Sequence, residues 1–395
     1  MSARLCSRIE TMLPRVIETR HYLHQRPELS GQEEETAAFV ARRLADLGLR
    51  PRTGIGGHGV YADIEGRSAG RTIALRADMD ALPIQEESCL PYASERAGVM
   101  HACGHDGHTA LLLAVAEILR DEMRDHDGRV RLIFQPAEET VGGALRMIKD
   151  GAMDGVDCVV ALHGWRHLPL GHIGLRSGPS MAGAGVFDIE VRGRGAHAAY
   201  PHLSADPIVT AAKIVLALQT VVSREINPIE PAVLTVARME AGTAYNIIPD
   251  VARLAGTVRT LTPETRDRIE AVVRRIVQGE CAASGAVAEI AYHRGSPPVI
   301  NDARVVALIR RAAVEAVGPD AVSDLVESSM GAEDFAYMIE RAPGAMFRLG
   351  LGDGPAGHTS TFDFDDRALG VGIEVMCRTA LLYLAHGLAP SAPAT

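Results

Sequence analysis

Apolar positions change their period along this chain, and the changes mark out elements. Leu5, Ile9, Met12, Leu13 and Val16 recur at the spacing of one helical face, with Arg4, Arg8, Glu10 and Arg15 between them. Ser30 with Glu33 three residues on predicts a capping box that opens a helix over 33–47, which Gly48 stops. The glycine-rich stretch 54–59 lacks the Lys-Ser/Thr of a phosphate loop and reads as a turn. A strand is expected at 60–64, and short apolar runs follow at 72–75, 130–134 and 158–162, with helical patterns at 109–123 and 143–150 among them. Continuous apolar runs alternating with helices predict buried parallel strands in an α/β sheet.

Beyond the small residues of 178–185 the period changes to two. Phe187, Ile189 and Val191 share one face of a half-exposed strand over 186–191. A helix over 206–226 follows, with Pro207 in its first turn, then strands at 232–239 and 251–259, a helix at 263–281 and a strand at 287–293. The order β-α-β-β-α-β is the ferredoxin-like split arrangement, about a hundred residues long and so one small domain. Ser296-Pro-Pro298 closes it. A helix over 303–317, the stretch 330–338, a strand at 346–349 and a helix at 367–386 return to the first style. The expected organisation is a small domain, 183–295, inserted between the two halves, 1–182 and 296–395, of a larger one.

Composition narrows the class. A chain of 395 residues has room for two domains, and 47% apolar with 23% charged residues supports a sizeable core. The formal charge of −10 argues against a nucleic-acid or anionic-membrane partner. No apolar run approaches the roughly 20 residues of a spanning helix, and the charges within the first helical pattern argue against a signal peptide. The six cysteines, at 6, 89, 103, 158, 281 and 377, have no framework spacing, which predicts reduced thiols and a cytoplasmic address.

The chemistry concentrates in 99–108, Val-Met-His-Ala-Cys-Gly-His-Asp-Gly-His, where three imidazoles, a thiol and a carboxylate crowd into one glycine-punctuated turn ahead of a helix. Thiolate and imidazole suit zinc or a similar divalent ion. Three apolar runs end in the same kind of residue: Asp78-Met-Asp80, Gln135-Pro-Ala-Glu138-Glu139 and His163. Open parallel sheets bind ligands outside the carboxyl ends of their strands. With His358, in Gly357-His-Thr-Ser-Thr-Phe-Asp363, the candidate ligands are Cys103, His105, Glu139, His163 and His358. Five exceed one tetrahedral site and suit two ions with a shared ligand; a thiolate can bridge, and Cys103 is central in the set. Glu138, next to a ligand and turned differently after Pro136, is left to act as general base on water. A helix N-terminus by itself also favours paired acids, so the pair gains meaning only with the rest of the set. His101 and His108 read as supports or caps. Affinity order and availability, not residue pattern, decide among zinc, manganese, cobalt and nickel.

His101-Ala-Cys-Gly-His-Asp-Gly-His108, Phe134-Gln-Pro-Ala-Glu-Glu139, Leu75-Arg-Ala-Asp-Met-Asp-Ala-Leu-Pro83, Gly193-Arg-Gly-Ala-His197-Ala-Ala-Tyr-Pro-His202 and Met330-Gly-Ala-Glu-Asp-Phe335 together resemble the amidohydrolase branch of the aminoacylase-type metallopeptidases. That family includes hippurate hydrolase, bacterial N-acyl-amino-acid amidohydrolases and plant auxin-conjugate hydrolases, and the similarity runs over 21–365. The resemblance implies a two-metal aminopeptidase-like catalytic domain with an inserted lid and dimerisation domain. It implies the same five ligands for two divalent ions, Glu138 as base, and His197 as the histidine that polarises the scissile carbonyl, often from the partner subunit. It also implies that Asn246 and Arg259 contact the substrate carboxylate, while Asp78 and Asp80 orient His105 or its neighbours. The implied reaction is hydrolysis of N-acyl- or N-aroyl-amino acids, hippurate-like, in a homodimer joined through the lid or a homotetramer. Gly357 before His358, Ser360 in place of a proline, Thr140 after the Glu pair and Ala196 before His197 depart from the family pattern and bear on substrate choice. Two same-fold alternatives are a dipeptidase and a deacetylase of N-acetyl-diaminopimelate or N-acetyl-amines. An alternative of another class is a metal-binding protein without catalysis.

Overall fold

The computed structural model describes residues 2–140 and 142–390. They fall into two compact units: Met1–Gly178 with Ile300–Glu327 and Asp334–Thr395, and Pro179–Val299 with Ser328–Glu333. The short stretch Ser328–Glu333, which the sequence pattern groups with the flanking halves, thus clusters with the second unit.

In the first unit, α1 (Ser2–Gln25) buries Leu5, Ile9, Met12 and Val16. Then comes α2 (Glu34–Asp46), and β1 (Arg52–Ile55) and β2 (Gly59–Glu65) form an antiparallel hairpin around the expected turn. The capping box does not form. Gly31 has φ +80°, so no helix can begin directly after Ser30. Ser30 Oγ instead donates to Asp80 Oδ2 at 2.6 Å. The first turn of α2 is capped by Glu28, whose carboxylate accepts the Glu35 and Thr36 N–H groups at 3.2 and 2.8 Å. The chain continues through β3 (Thr72–Asp78), α3 (His105–Glu122), β4 (Arg129–Gln135), α4 (Gly143–Lys149), β5 (Cys158–Trp165) and β6 (Ile173–Leu175), and leaves the unit along β7 (Gly178–Met181).

The second unit alternates buried and exposed positions along β8 (Gly183–Arg192), then gives the two-residue β9 (Ala196–His197) and α5 (Pro207–Thr220). Asp206 caps α5 by accepting the Ile208 N–H at 2.8 Å. The expected helix to 226 ends as an α-helix at Thr220 and widens into a π turn over Val221–Glu225. Next come β10 (Ala232–Ala241), β11 (Ile247–Ile248), β12 (Val251–Thr260), α6 (Pro263–Ser284) and β13 (Val287–Arg294). The antiparallel order β10-β12-β8-β13 is that of the split βαββαβ fold. Its core joins Phe187, Ile189 and Val191 to Ile214, Leu218, Ile269 and Val273 of the two helices.

The chain returns along β14 (Val299–Asn301) to α7 (Ala303–Val317), β15 (Val322–Asp324), the single turn α8 (Ala336–Ile339), β16 (Gly344–Gly350) and α9 (Leu369–His386). The large sheet has the order β1-β2-β4-β3-β5-β16-β6-β15. Its centre, β4, β3, β5 and β16, is parallel throughout. Every residue of β3 and β16 is buried, as the continuous apolar runs require of strands covered on both faces. Two segments, Pro207–Glu225 and Asp366–His386, are long and apolar enough to cross a membrane by length and composition, contrary to the expectation that no run approaches that size. In Asp366–His386, 78% of the apolar window is buried inside the fold, as a core helix is.

Phe187 is fully buried between the small sheet and its helices. Phe187→Ala is expected to lower the unfolding free energy of the second unit by about 3–5 kcal/mol, read from urea melts. A loss below about 1 kcal/mol would refute this packing.

Candidate metal centre

The parallel strands end level with one another. Asp78 at the end of β3 pairs with Gln135 at the end of β4, and His163 on β5 pairs with Arg348 on β16. Each candidate ligand therefore lies at, or in the loop beyond, the carboxyl end of a central strand. The turn into α3 needs its glycines: Gly104 has φ +93°, and a Cβ on Gly107 would lie 2.7 Å from the Phe364 ring. Two non-glycine residues also take left-handed backbone here. They are Ala137, at φ +51° just before the Glu pair, and His358, at φ +62°. The His358 N–H donates to the Ala102 carbonyl at 2.7 Å, which fastens the far C-terminal loop beside Cys103. Such conformations concentrate where surroundings impose them for function.

The ligand atoms of Cys103, His105 and His163 lie within 4.8 Å of one another, and so do those of Cys103, Glu139 and His358. Cys103 is common to both triads. A third group within the same limit joins Glu138 to His105 and Glu139. The imidazoles are turned the same way. His105 Nδ1 bonds the Asp80 carbonyl at 2.8 Å and His163 Nδ1 the Gly164 carbonyl at 2.8 Å, so in each neutral ring the proton sits on Nδ1 and the Nε2 lone pair faces the cluster. His163 Nε2 is 3.5 Å from Cys103 Sγ. Glu139 Oε1 is 4.0 Å from His105 Nε2 and 3.3 Å from His358 Nε2.

The test of whether a cation belongs here is the hydrogen-bond account. His105 Nε2 and Glu139 Oε1 are buried without a hydrogen-bond partner among the described residues. Buried polar atoms are normally satisfied, and these two converge to 4.0 Å without making a hydrogen bond to each other. Burial pushes the Cys103 thiol up to about 12, so a thiolate at that place needs a cation beside it. Burial disfavours charge on His105, yet the carboxylate of Asp78 and the sulfur of Cys103 draw its pKa up. Burial pushes His163 down, keeping it a neutral ligand. The set of one thiol, three imidazoles and one carboxylate, with 54% of the His358 side chain exposed, suits two divalent ions with room for a small molecule.

The surrounding residues hold this arrangement. Asp80 serves His105, and its Oδ2 also accepts the Glu139 N–H at 3.0 Å. Asp78 serves His108, at 2.6 Å from Nδ1, and His108 Nε2 accepts the Gly164 N–H at 3.0 Å. Both ring nitrogens of His108 are thus engaged, and it acts as a support. His101 does not fit the expected supporting or capping role. Both of its ring nitrogens are without a hydrogen-bond partner among the described residues, and burial pushes its pKa down to about 4. Glu138 is buried, and its Oε1 accepts the Asp334 N–H at 3.3 Å, so it is held rather than left loose. The Asp334 carboxylate in turn accepts Gln135 Nε2–H at 2.6 Å and the Ala144 N–H of α4 at 3.0 Å.

Sequence reasoning passed over Arg20. Wholly buried on α1, it reaches Asp106 Oδ2 at 3.0 Å and Asp363 Oδ1 at 3.1 Å, joining the turn of Cys103 and His105 to the segment after His358. His24, one helical turn on, bonds Asp106 Oδ2 at 2.9 Å and Glu86 Oε1 at 3.3 Å. The only local signal was an arginine and a histidine four apart on one helix face.

The remaining predicted residues lie in the second unit. His197 on β9 and Asn246 are brought together: β9 pairs with β11, and the Ala198 N–H donates to the Asn246 carbonyl at 3.0 Å. His197 Nδ1 accepts the Ala199 N–H at 3.1 Å, which leaves the proton of the neutral ring on Nε2. Arg259 is half-buried on β12 and donates to Thr257 Oγ1 and to the Val258 carbonyl.

Residues 74–382 match the profile of peptidase family M20/M25/M40. The chain belongs to that family. It is 43% identical over 361 residues to an N-acetyl-L-cysteine deacetylase of Bacillus subtilis (strain 168), covering 91% of this chain and 86% of the relative. It is 47% identical over 290 residues to an N-acyl-L-amino acid amidohydrolase of Geobacillus stearothermophilus, covering 72% and 78%. Among solved structures, a dinuclear metal-binding peptidase of the M20 family from Bacillus subtilis superposes with a TM-score of 0.84 at 37% identity, over 95% of this chain and 99% of the other. The chain is a hydrolase of the M20 family, and its donor set matches a dinuclear centre.

Two outcomes test the support around this centre. Arg20→Met strands the buried Asp106 carboxylate and is expected to cost about 3–5 kcal/mol in urea melts. His24 adds a pH signature. Burial opposes its charge, but the hydrogen bonds it donates to the Asp106 and Glu86 carboxylates outweigh that and raise its pKa from 6.5 to about 9. Its stabilising share is full below pH 6.5 and fades as pH rises through about 9. The gap in urea midpoint between the protein and His24→Gln should therefore shrink over that window; a gap that widens with pH contradicts the pairing.

Proposed function

We propose that the chain hydrolyses the amide of N-acyl- or N-aroyl-amino acids, with hippurate-like substrates foremost, to a carboxylic acid and a free amino acid. The observation that carries this reading is the pair of donor triads sharing Cys103, with the Glu138 carboxylate beside them. Cys103, His105, Glu139, His163 and His358 would hold two divalent ions. When bound, such ions polarise a carbonyl and acidify water. Glu138 takes the proton from the attacking water and delivers it to the leaving nitrogen. The hydrogen bond from the Asp334 N–H keeps its carboxylate oriented for both transfers. His197 donates Nε2–H to the developing oxyanion, and the neutral tautomer assigned above supports that role. Asn246 and Arg259 bind the substrate carboxylate, the guanidinium as a planar two-point partner.

A second reading, removal of a small acetyl group, is favoured by the relative named as an N-acetyl-L-cysteine deacetylase. The assembly we propose is a homodimer built on the second unit. Among the described residues its edge strand β10 pairs only with β12, and Val209, Leu216 and Met239 are exposed on that unit. All six cysteines are free, which supports a reducing, cytoplasmic setting.

Turnover of benzoyl-, acetyl- and indole-acyl-amino acids, with zinc, manganese, cobalt or nickel added back after chelation, tests the reaction and its acyl preference. Glu138→Ala is expected to lose about 10²–10⁴-fold in kcat with metal content unchanged by elemental analysis. Full activity in Glu138→Ala removes it as the base, and no turnover of any amide by the metal-loaded protein favours a non-catalytic metal-binding role.

A further inference from the structure

The turn that carries Glu138 and Glu139 starts from Ala137, at φ +51°, a region an alanine enters only when its surroundings hold it there. The holding contact comes from far away in sequence. The Ala137 N–H donates to Glu33 Oε1 at 2.7 Å, and the same oxygen accepts the Gly31 N–H at 2.9 Å. Glu33 has no exposed surface, and its Oε2 is without a hydrogen-bond partner among the described residues. Burying a carboxyl group in this state is costly, and burial raises its pKa. Helix capping does not account for it, because Glu28 already occupies the Glu35 and Thr36 N–H groups of α2. The same short turn makes a second contact beneath the site. Ser30 Oγ donates to Asp80 Oδ2, the oxygen that accepts the Glu139 N–H. The peptide groups of Ala137 and Glu139, on either side of Glu138, are thus both tied down from the turn 30–33, one directly and one through Asp80.

We infer that Glu33 is a positioning residue: it holds the left-handed Ala137 peptide so that the Glu138 and Glu139 carboxylates both reach the metal centre, one as base and one as ligand. The inference rests on the base and ligand roles given to those two residues above. Its signature is that the need for Glu33 depends on the side chain at 137. Glycine takes φ +51° without strain, so Ala137→Gly should relieve the dependence.

The test compares Glu33→Gln, Glu33→Ala and the double variant Glu33→Ala/Ala137→Gly. Two readouts are taken: the apparent Kd for Mn²⁺ by chelator competition, and kcat and KM at saturating Mn²⁺ on N-benzoylglycine and N-acetyl-L-cysteine. Glu33→Ala should raise the Kd at least fivefold and lower kcat at least tenfold with KM within twofold. Glu33→Gln, which keeps the accepting oxygen, should stay within threefold in both, and the double variant should recover at least threefold in each. If Glu33→Ala does not fold, Glu33→Asp, shorter by one methylene, replaces it with the same expectation. Unchanged Kd and kcat in the shortened variants, Gln no better than Ala, or no recovery with glycine at 137 overturns the inference. If neither amide is cleaved by the unaltered protein, the function reading fails, while the Kd series still decides the role of Glu33.

Discussion

Glu139 Oε1 and His105 Nε2 face each other across 4.0 Å of protein interior, too far apart to share a hydrogen bond. The other ring facing Glu139 Oε1 is that of His358, whose Nε2 lies 3.3 Å away. Much of the first unit is the apparatus that holds these candidate donors around one point, as a cation site requires. The tautomers of His105 and His163 are set by backbone carbonyls behind them, and the Glu139 peptide is tied to Asp80. The thiol of Cys103, resistant to ionisation by burial, completes a set whose members become favourable neighbours only around positive charge.

The sheet supplies a level edge, and the loops supply what strands cannot. Regular backbone cannot turn both Glu138 and Glu139 toward useful directions, nor bring a residue after β16 beside Cys103. Left-handed residues at 137 and 358 do so, and each has its N–H anchored by a distant partner. Buried charge is used in the same spirit. Arg20 joins two loop segments that bear candidate ligands, and Arg76 bridges Asp78 and Gln135 at the strand ends. Such pairs add modest net stability, but breaking one leaves an uncompensated charge, so they define geometry strongly.

The second unit has a different economy. Its sheet is half exposed, its sequence alternates, and its candidate residues His197 and Asn246 sit on surface turns rather than in a packed interior. Loops of this kind carry fewer packing constraints than strand ends.

The strands were legible because a strand covered on both faces is apolar at most positions, and the split βαββαβ unit because a half-covered sheet must alternate. The five donors were legible because metal ligands are drawn from few residue types and parallel sheets present them at one edge. Other features left no local trace. Ser30 and Glu33 match a capping box in every letter, yet a left-handed Gly31 sends their side chains to Asp80 and Ala137. Arg20 meets partners 86 and 343 positions away, and the Glu138 carboxylate is held by a peptide 196 positions away. Which nitrogen of an imidazole faces a metal, and which buried acid braces a turn, follow from contacts between remote segments. Those contacts exist only once the chain has closed on itself.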